Sequence, residues 1–351
     1  MLPLPNSLGF SLYLSTFAAQ WPTLGGRTGG GAPVFLSLHI SEEFDETYCR
    51  RAEDVCCTLA SAGFRIIADV SRKTVAQFGC RDLVELAKKL QLWALRIDYG
   101  FSKDEIMEFA EKMPIVVNAS TVTAADARDI AARGREVFAM HNFYPRPETG
   151  LDEDYLAETT AALQAAGMKV FAFIPGDKAH RGPVYEGLPT LEAHRTVLPS
   201  AAFADLALRY GMDGIFLADP GISDAELQRI DRFCREGVIC LPVNLEPACN
   251  WLYDQVLTCR VDSPNRMIRV LESREYSCKG AVVAPGNCGQ RTRGSVTIDN
   301  EGYGRYTGEI QIIRSDLKAD SRVNVIGSIP ENARLLMDCI KGGQKFVLVR
   351  P

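Results

Sequence analysis

The run from Glu136 to Gly150, EVFAMHNFYPRPETG, concentrates side chains capable of chemistry. Four apolar residues, Val137 to Met140, are followed by His141, Asn142 and Tyr144, and Pro145 and Pro147 stiffen the exit. A buried strand ending in polar and aromatic groups on a rigid turn is how a parallel barrel builds a site, because its active centre gathers at the carboxyl ends of the strands. A strand cap whose His and Asn bond only to backbone gives the same local pattern.

Other apolar runs end in the same way. Asp69 closes FRIIAD, Asp98 follows LWALRI, Asn118 closes IVVN, Asp219 closes GIFLAD, and Tyr13 lies near the end of LGFSLYL. The loop after KVFAFI adds Lys178, His180, Arg181, Glu186, Thr190 and Glu192. Carboxylates converging on a barrel mouth suit glycoside cleavage, which needs one protonated acid for the leaving oxygen and one ionised group as nucleophile or base. Asp69 and Asp98 are the expected pair, since an ionised group just past four apolar residues needs a partner; Glu186 and Glu192 stand in reserve. A separation of about 5 Å would give retention and about 6.5–9.5 Å inversion. Asp219 precedes Pro220-Gly221 and equally suits a turn-shaping role, and His194 and Arg195 fall where a helix should start. The four histidines, His39, His141, His180 and His194, sit in different elements without HxH or HExxH spacing, so no metal or other cofactor is expected.

The elements needed to position these groups alternate. Strands are expected at Leu8 to Leu14, Val34 to Ile40, Phe64 to Val70, Leu92 to Tyr99, Ile115 to Asn118, Val137 to Asn142, Lys169 to Ile174 and Gly214 to Asp219. Amphipathic stretches separate them, among them Glu46 to Gly63 and one capped by Ser102 with Glu105. Eight such strands imply an α/β fold with a (β/α)8 barrel, an open doubly wound sheet being the alternative. The segment 17–33 holds Gly25-Gly26 and Gly29-Gly30-Gly31, which predicts a flexible connection where the first helix belongs. No Lys-Ser/Thr follows those glycines, so a phosphate-binding P-loop is not supported. After Pro242 short alternating strands and Gly-rich turns take over, predicting a barrel domain over 1–243 and a small all-β domain, itself a barrel, over 244–351.

Composition narrows the function classes. With 351 residues, 46% hydrophobic, the chain has ample core for two domains. A net charge of -5 offers no basic face to nucleic acid or anionic lipid. The apolar start lacks a positive n-region and no run reaches the roughly 18 apolar residues of a spanning helix, so neither a signal peptide nor a membrane segment is expected. Eleven cysteines without framework spacing suit reduced thiols of the cytoplasm.

Three motifs, HNFYPRPETGL (141–151), GPVYEGLPTLEAHR (182–195) and SRVNVIGSIP (321–330), together with LGFSLYLS, RIDYGF and VVNAST, carry a resemblance. The chain resembles the bacterial 6-phospho-N-acetylmuramidases, glycoside hydrolases long grouped as uncharacterised outer surface proteins. That resemblance implies a TIM-type barrel followed by a cyclophilin-like β-barrel. It also implies cytoplasmic hydrolysis, in cell-wall recycling, of N-acetylmuramic acid 6-phosphate linked β-1,4 to N-acetylglucosamine. Tyr13, Asn118, His141, Asn142, Tyr144 and Thr190 would then bind sugar, while Lys178, His180, Arg181, Arg293 and Arg322 are candidates for the phosphate and lactyl carboxylate. A homo-oligomer is compatible with this reading. The Gly-rich 17–33 segment departs from the family, which has a proper helix there. Two other functions fit the same groups: a non-catalytic sugar-phosphate binding protein, and a metal-dependent barrel lyase or isomerase.

Overall fold

The computed structural model describes residues 7–27, 31–38, 46–97, 100–134, 136–278 and 282–351, with the side chains of 276–278 excepted. The chain packs as two compact units, one running up to Arg195 with Tyr210–Asp224, the other formed by Thr196–Arg209 with Ala225–Pro351.

In the first unit β1 (Leu8–Leu12), α1 (Phe17–Gly25), β2 (Pro33–Ser37), α2 (Tyr48–Ser61) and β3 (Arg65–Val70) open the alternation. Then come α3 (Arg72–Gln77), α4 (Leu83–Lys89), β4 (Ala94–Ile97), α5 (Lys103–Lys112) and β5 (Ile115–Asn118). Helix α6 (Ala124–Arg133), β6 (Val137–Met140), α7 (Glu153–Ala165) and β7 (Lys169–Ile174) follow. After α8 (Pro199–Leu208), which belongs to the other unit, β8 (Gly214–Leu217) pairs with β1 and closes an eight-stranded parallel barrel. The expected eight strands are all present, and the Ser102–Glu105 capping box starts α5. Residues 39 and 40 of the expected second strand lie outside the described residues.

Side chains of a strand alternate between faces. Phe35, Ile67, Ala94, Val116, Phe138, Phe171, Phe173 and Phe216 fill the barrel interior as one apolar cluster. Gly9 is required there: a Cβ on it would meet the Phe216 ring at 2.5 Å. Two positions further along each strand the same parity delivers Asp69, Arg96, Asn118 and Met140 to the carboxyl end.

One expectation fails. The segment after β1 opens as a helix, α1, where a flexible connection was expected, and residues 28–30 lie outside the described residues. The glycines do not break it because they lie at its end: Gly25 is its last residue and Gly26 its C-cap, while Pro22 is accommodated inside. Gln20 makes the helix matter for the barrel mouth, donating to Ser11 O (2.9 Å) and accepting from Tyr13 N (3.2 Å).

The second unit contains α8, α9 (Asp224–Glu236), β9 (Ile239–Pro242), β10 (Asn244–Leu245), β11 (Val256–Thr258) and β12 (Met267–Arg269). It continues with α10 (Ser273–Cys278), β13 (Ser295–Asp299), β14 (Ile310–Ile313), β15 (Val323–Ser328), α11 (Leu335–Cys339) and β16 (Lys345–Val349). Its strands form a five-stranded antiparallel sheet, β10-β15-β13-β14-β12, and a three-stranded sheet, β11-β16-β9. Helices α8 and α9 meet through Phe203 and Phe233, whose ring centroids lie 6.0 Å apart. Every described cysteine is free.

Candidate active site

The register of the barrel sets Asp69 opposite Arg96 on neighbouring strands. Both are buried, at 8% and 4% exposure, and Arg96 Nη1 lies 3.0 Å from Asp69 Oδ1. A buried carboxylate requires such a countercharge. Arg96 Nη2 also donates to Asn142 Oδ1, so one guanidinium ties the ends of β4 and β3 to the residue beyond β6. Asn118, at the end of β5, is buried and accepts the Ser120 N–H at 2.9 Å. Asp69, Arg96, Asn118 and Asn142 thus form a polar layer directly above the aromatic interior.

A second group stands at the ends of β1, β7 and β8. Asp219 is 0% exposed and accepts three backbone N–H groups, from Gly176 (3.0 Å), Arg181 (2.9 Å) and Leu188 (3.1 Å). Burial raises its carboxyl pKa, against the pull of these bonds and of His180. The loop gathered in this way lays the Arg181 guanidinium 4.7 Å over the Tyr13 ring and 5.8 Å from the Phe143 ring. Tyr13 donates its hydroxyl to Ala218 O, and burial pushes its phenol up. Both His180 ring nitrogens face carbonyls, Tyr185 O at 3.1 Å and Gly176 O at 3.0 Å. Burial opposes its charge, but these two acceptors, Asp219 and Glu186 outweigh burial and raise its pKa. Two acceptors satisfy two N–H donors, which only the imidazolium carries.

The third group is closed upon itself. Glu192 receives Arg195 Nε and Nη2 at 2.6 and 2.7 Å, and the backbone N–H groups of Glu148 (2.9 Å) and Gly150 (2.8 Å). Arg195 leads the forces that hold the Glu192 carboxyl down to about 2. The remaining N–H groups of Arg195 donate to the carbonyls of Tyr144, Arg146, Glu186 and Gly187. Gly150 must be glycine, since a Cβ would sit 2.6 Å from the Glu192 carboxylate. Thr190 is fully buried, accepts the Phe173 N–H and donates to Asn142 O. Tyr144 bonds through its backbone to Pro189 O. His141 is 0% exposed with Nε2 3.1 Å from Thr160 Oγ1 on α7, so its ring ties strand to helix layer. Burial pushes it down to about 4.

Both halves of the chain match family models. Residues 8–232 match the N-terminal and residues 239–349 the C-terminal model described as 6-phospho-N-acetylmuramidase. The chain belongs to the 6-phospho-N-acetylmuramidase family, a glycoside hydrolase type. It is also similar to a crystal structure of a conserved Enterococcus faecalis protein with an unknown function. The identity is 30%, over 98% of this chain and 96% of that one, and the TM-score is 0.84. An uncharacterized B. cereus protein shares the fold at 23% identity, over 99% of this chain and all of the other, with a TM-score of 0.79. Among curated proteins none matches.

In this family member, then, the residues named from sequence separate into distinct places. Asp69 and Asn142 meet at Arg96, while Asn118 closes the neighbouring strand and bonds to Ser120 N–H; Tyr13, His180 and Arg181 gather around Asp219; His141, Thr190, Glu192 and the Tyr144 backbone are taken up in bonds within the fold. Lys178 and Glu186 are exposed. In the second unit Arg293 pairs with Asp338 at 2.7 Å, and Arg322 with Asp320 at 2.9 Å. Asp98 lies outside the described residues. Sequence reasoning passed over Arg96, a cation inside an apolar strand, and Arg195, which it left as a helix start; the parity of LWALRI was the signal for the first.

Proposed function

We propose that the chain hydrolyses the β-1,4 bond between N-acetylmuramic acid 6-phosphate and N-acetylglucosamine, as a cytoplasmic step of cell-wall recycling. The observation that carries this reading is family membership across both parts of the chain. No described helix is long and apolar enough to cross a membrane. The division of labour follows the two-part match, with catalysis in 1–243. For 244–351 the resemblance implies a cyclophilin-like barrel; the five-stranded sheet lies wholly within that range, while the three-stranded sheet also takes in β9 from just before it.

In this reading Asp69, held by Arg96, is the ionised carboxylate facing the anomeric carbon. Asp98, two residues on from Arg96 in sequence, is the acid that gives its proton to the bridging oxygen as the bond to the muramic carbon breaks; a water then supplies its hydroxyl to that carbon and its proton to a carboxylate of the pair. Asn118 and Asn142 orient hydroxyls and the N-acetyl group. The test is incubation of the protein, with chelator, with the phosphorylated disaccharide and its unphosphorylated twin, followed by mass spectrometry. Release of N-acetylglucosamine from the phosphorylated compound alone is expected. Binding without cleavage of either would replace the hydrolase with a sugar-phosphate sensor.

A further inference from the structure

We propose that Arg181 is the phosphate anchor of the barrel mouth and that Asp219 is the positioning residue that presents it; this rests on the substrate reading above. Three arginines near the strand ends, Arg96, Arg181 and Arg195, are not alike. Arg96 faces the Asp69 carboxylate and Arg195 the Glu192 carboxylate. Arg181, half-buried, makes no ion pair with a carboxylate among the described residues; its guanidinium rests on the faces of Tyr13 and Phe143. Stacking occupies the face of a guanidinium; one edge donor of Arg181 is taken by the Tyr13 hydroxyl, and the other N–H donors of that edge remain for an acceptor. A partly desolvated cation without an anionic partner is a standing electrostatic cost that an incoming anion removes.

His180 and Asp219 support Arg181 in different ways. His180 adjoins Arg181 in sequence, and both its ring nitrogens face carbonyl oxygens, an arrangement that favours the imidazolium. Its N–H groups are spent, so it contributes charge while Arg181 contributes hydrogen bonds. The Arg181 backbone is fixed by its N–H to Asp219 Oδ1, and the same carboxylate pins Gly176 and Leu188 on either side. Asp219 therefore acts through Arg181 and through the loop, without needing to touch substrate.

Equilibrium titration with N-acetylmuramic acid 6-phosphate, N-acetylmuramic acid and N-acetylglucosamine 6-phosphate tests this without requiring turnover. The wild-type protein should prefer both phosphorylated sugars to the unphosphorylated one. Arg181→Met should lose that preference by roughly ten- to a hundredfold, the worth of a charge-assisted hydrogen bond. Arg181→Lys should keep part of it, as a point charge without the fork. Asp219→Asn should move the preference in the same direction by a smaller factor, and adding it to Arg181→Met should change little further. A wild-type protein blind to phosphate, or an Arg181→Met protein of intact urea midpoint that keeps the preference, would overturn the proposal. Loss confined to discrimination of the lactyl group would overturn the assignment to phosphate. If the preference follows Arg181 but the disaccharide is never cleaved, the anchor stands and the hydrolase reading alone fails.

Discussion

Arg195 and Arg181 belong to the same loop after β7, yet the two guanidiniums meet opposite surroundings. Arg195 spends its donors on one carboxylate and four carbonyls, and its side chain is 8% exposed. Arg181 is presented by its backbone and rests on aromatic faces. Charge consumed inside the fold fixes the shape of the mouth, while charge left over is what a ligand can meet. The long HNFYPRPETGL and GPVYEGLPTLEAHR motifs owe much of their residue content to the first use: Glu192, Arg195, Thr190 and Gly150 exist to lock two loops together.

The largest effect expected from this contrast is on stability. Arg195→Ala leaves Glu192 facing only two N–H groups and strands four carbonyls, so unfolding in urea should be easier by about 3–5 kcal/mol. A loss below about 1 kcal/mol would show that the lock is ornamental.

His141 belongs to the same consumed set and should appear in the pH dependence of stability. The unfolded chain takes up a proton near the ordinary value of 6.5, the folded chain only near 4. The unfolded state thus binds more protons between those values. The His141 contribution to stability is complete above about 6.5 and is lost as the pH drops toward 4, by up to about 3 kcal/mol, while Asp299, raised by burial to about 7, acts in the opposite sense over the same window. The difference in urea midpoint between wild type and His141→Gln should therefore change across that window, isolating the His141 share. An equal slope in the variant would place the titrating group elsewhere.

The smallest stability effect should come from Arg181→Met. With no ion pair to break, it loses only its stacking on Tyr13 and Phe143, so its unfolding free energy should fall by no more than about 1 kcal/mol. A loss as large as that of Arg195→Ala would erase the distinction between the two arginines.

The barrel was legible because eight apolar runs of strand length recur between amphipathic stretches, a pattern that local composition carries. Helix α1 was not, because counting the glycines of 17–33 hid the fact that they gather at the helix end, where glycine is harmless. Asp69 was legible as an acid closing an apolar run. Its partner Arg96 was not, since only the register of β3 against β4 brings them together. Strand parity distinguishes Asn142, which follows Phe138 and Met140 toward the barrel axis, from His141, which bonds to α7. Adjacent polar residues at a strand end thus divide between the site and the scaffold.

The most direct test of the account is the turnover of Asp69→Asn on the phosphorylated disaccharide, with the urea midpoint measured on the same preparation. Loss of the ionised group should lower kcat by about a thousandfold or more in a protein that remains folded. Near-normal turnover from a folded Asp69→Asn protein would remove the Asp69–Arg96 pair from the chemistry and contradict the account.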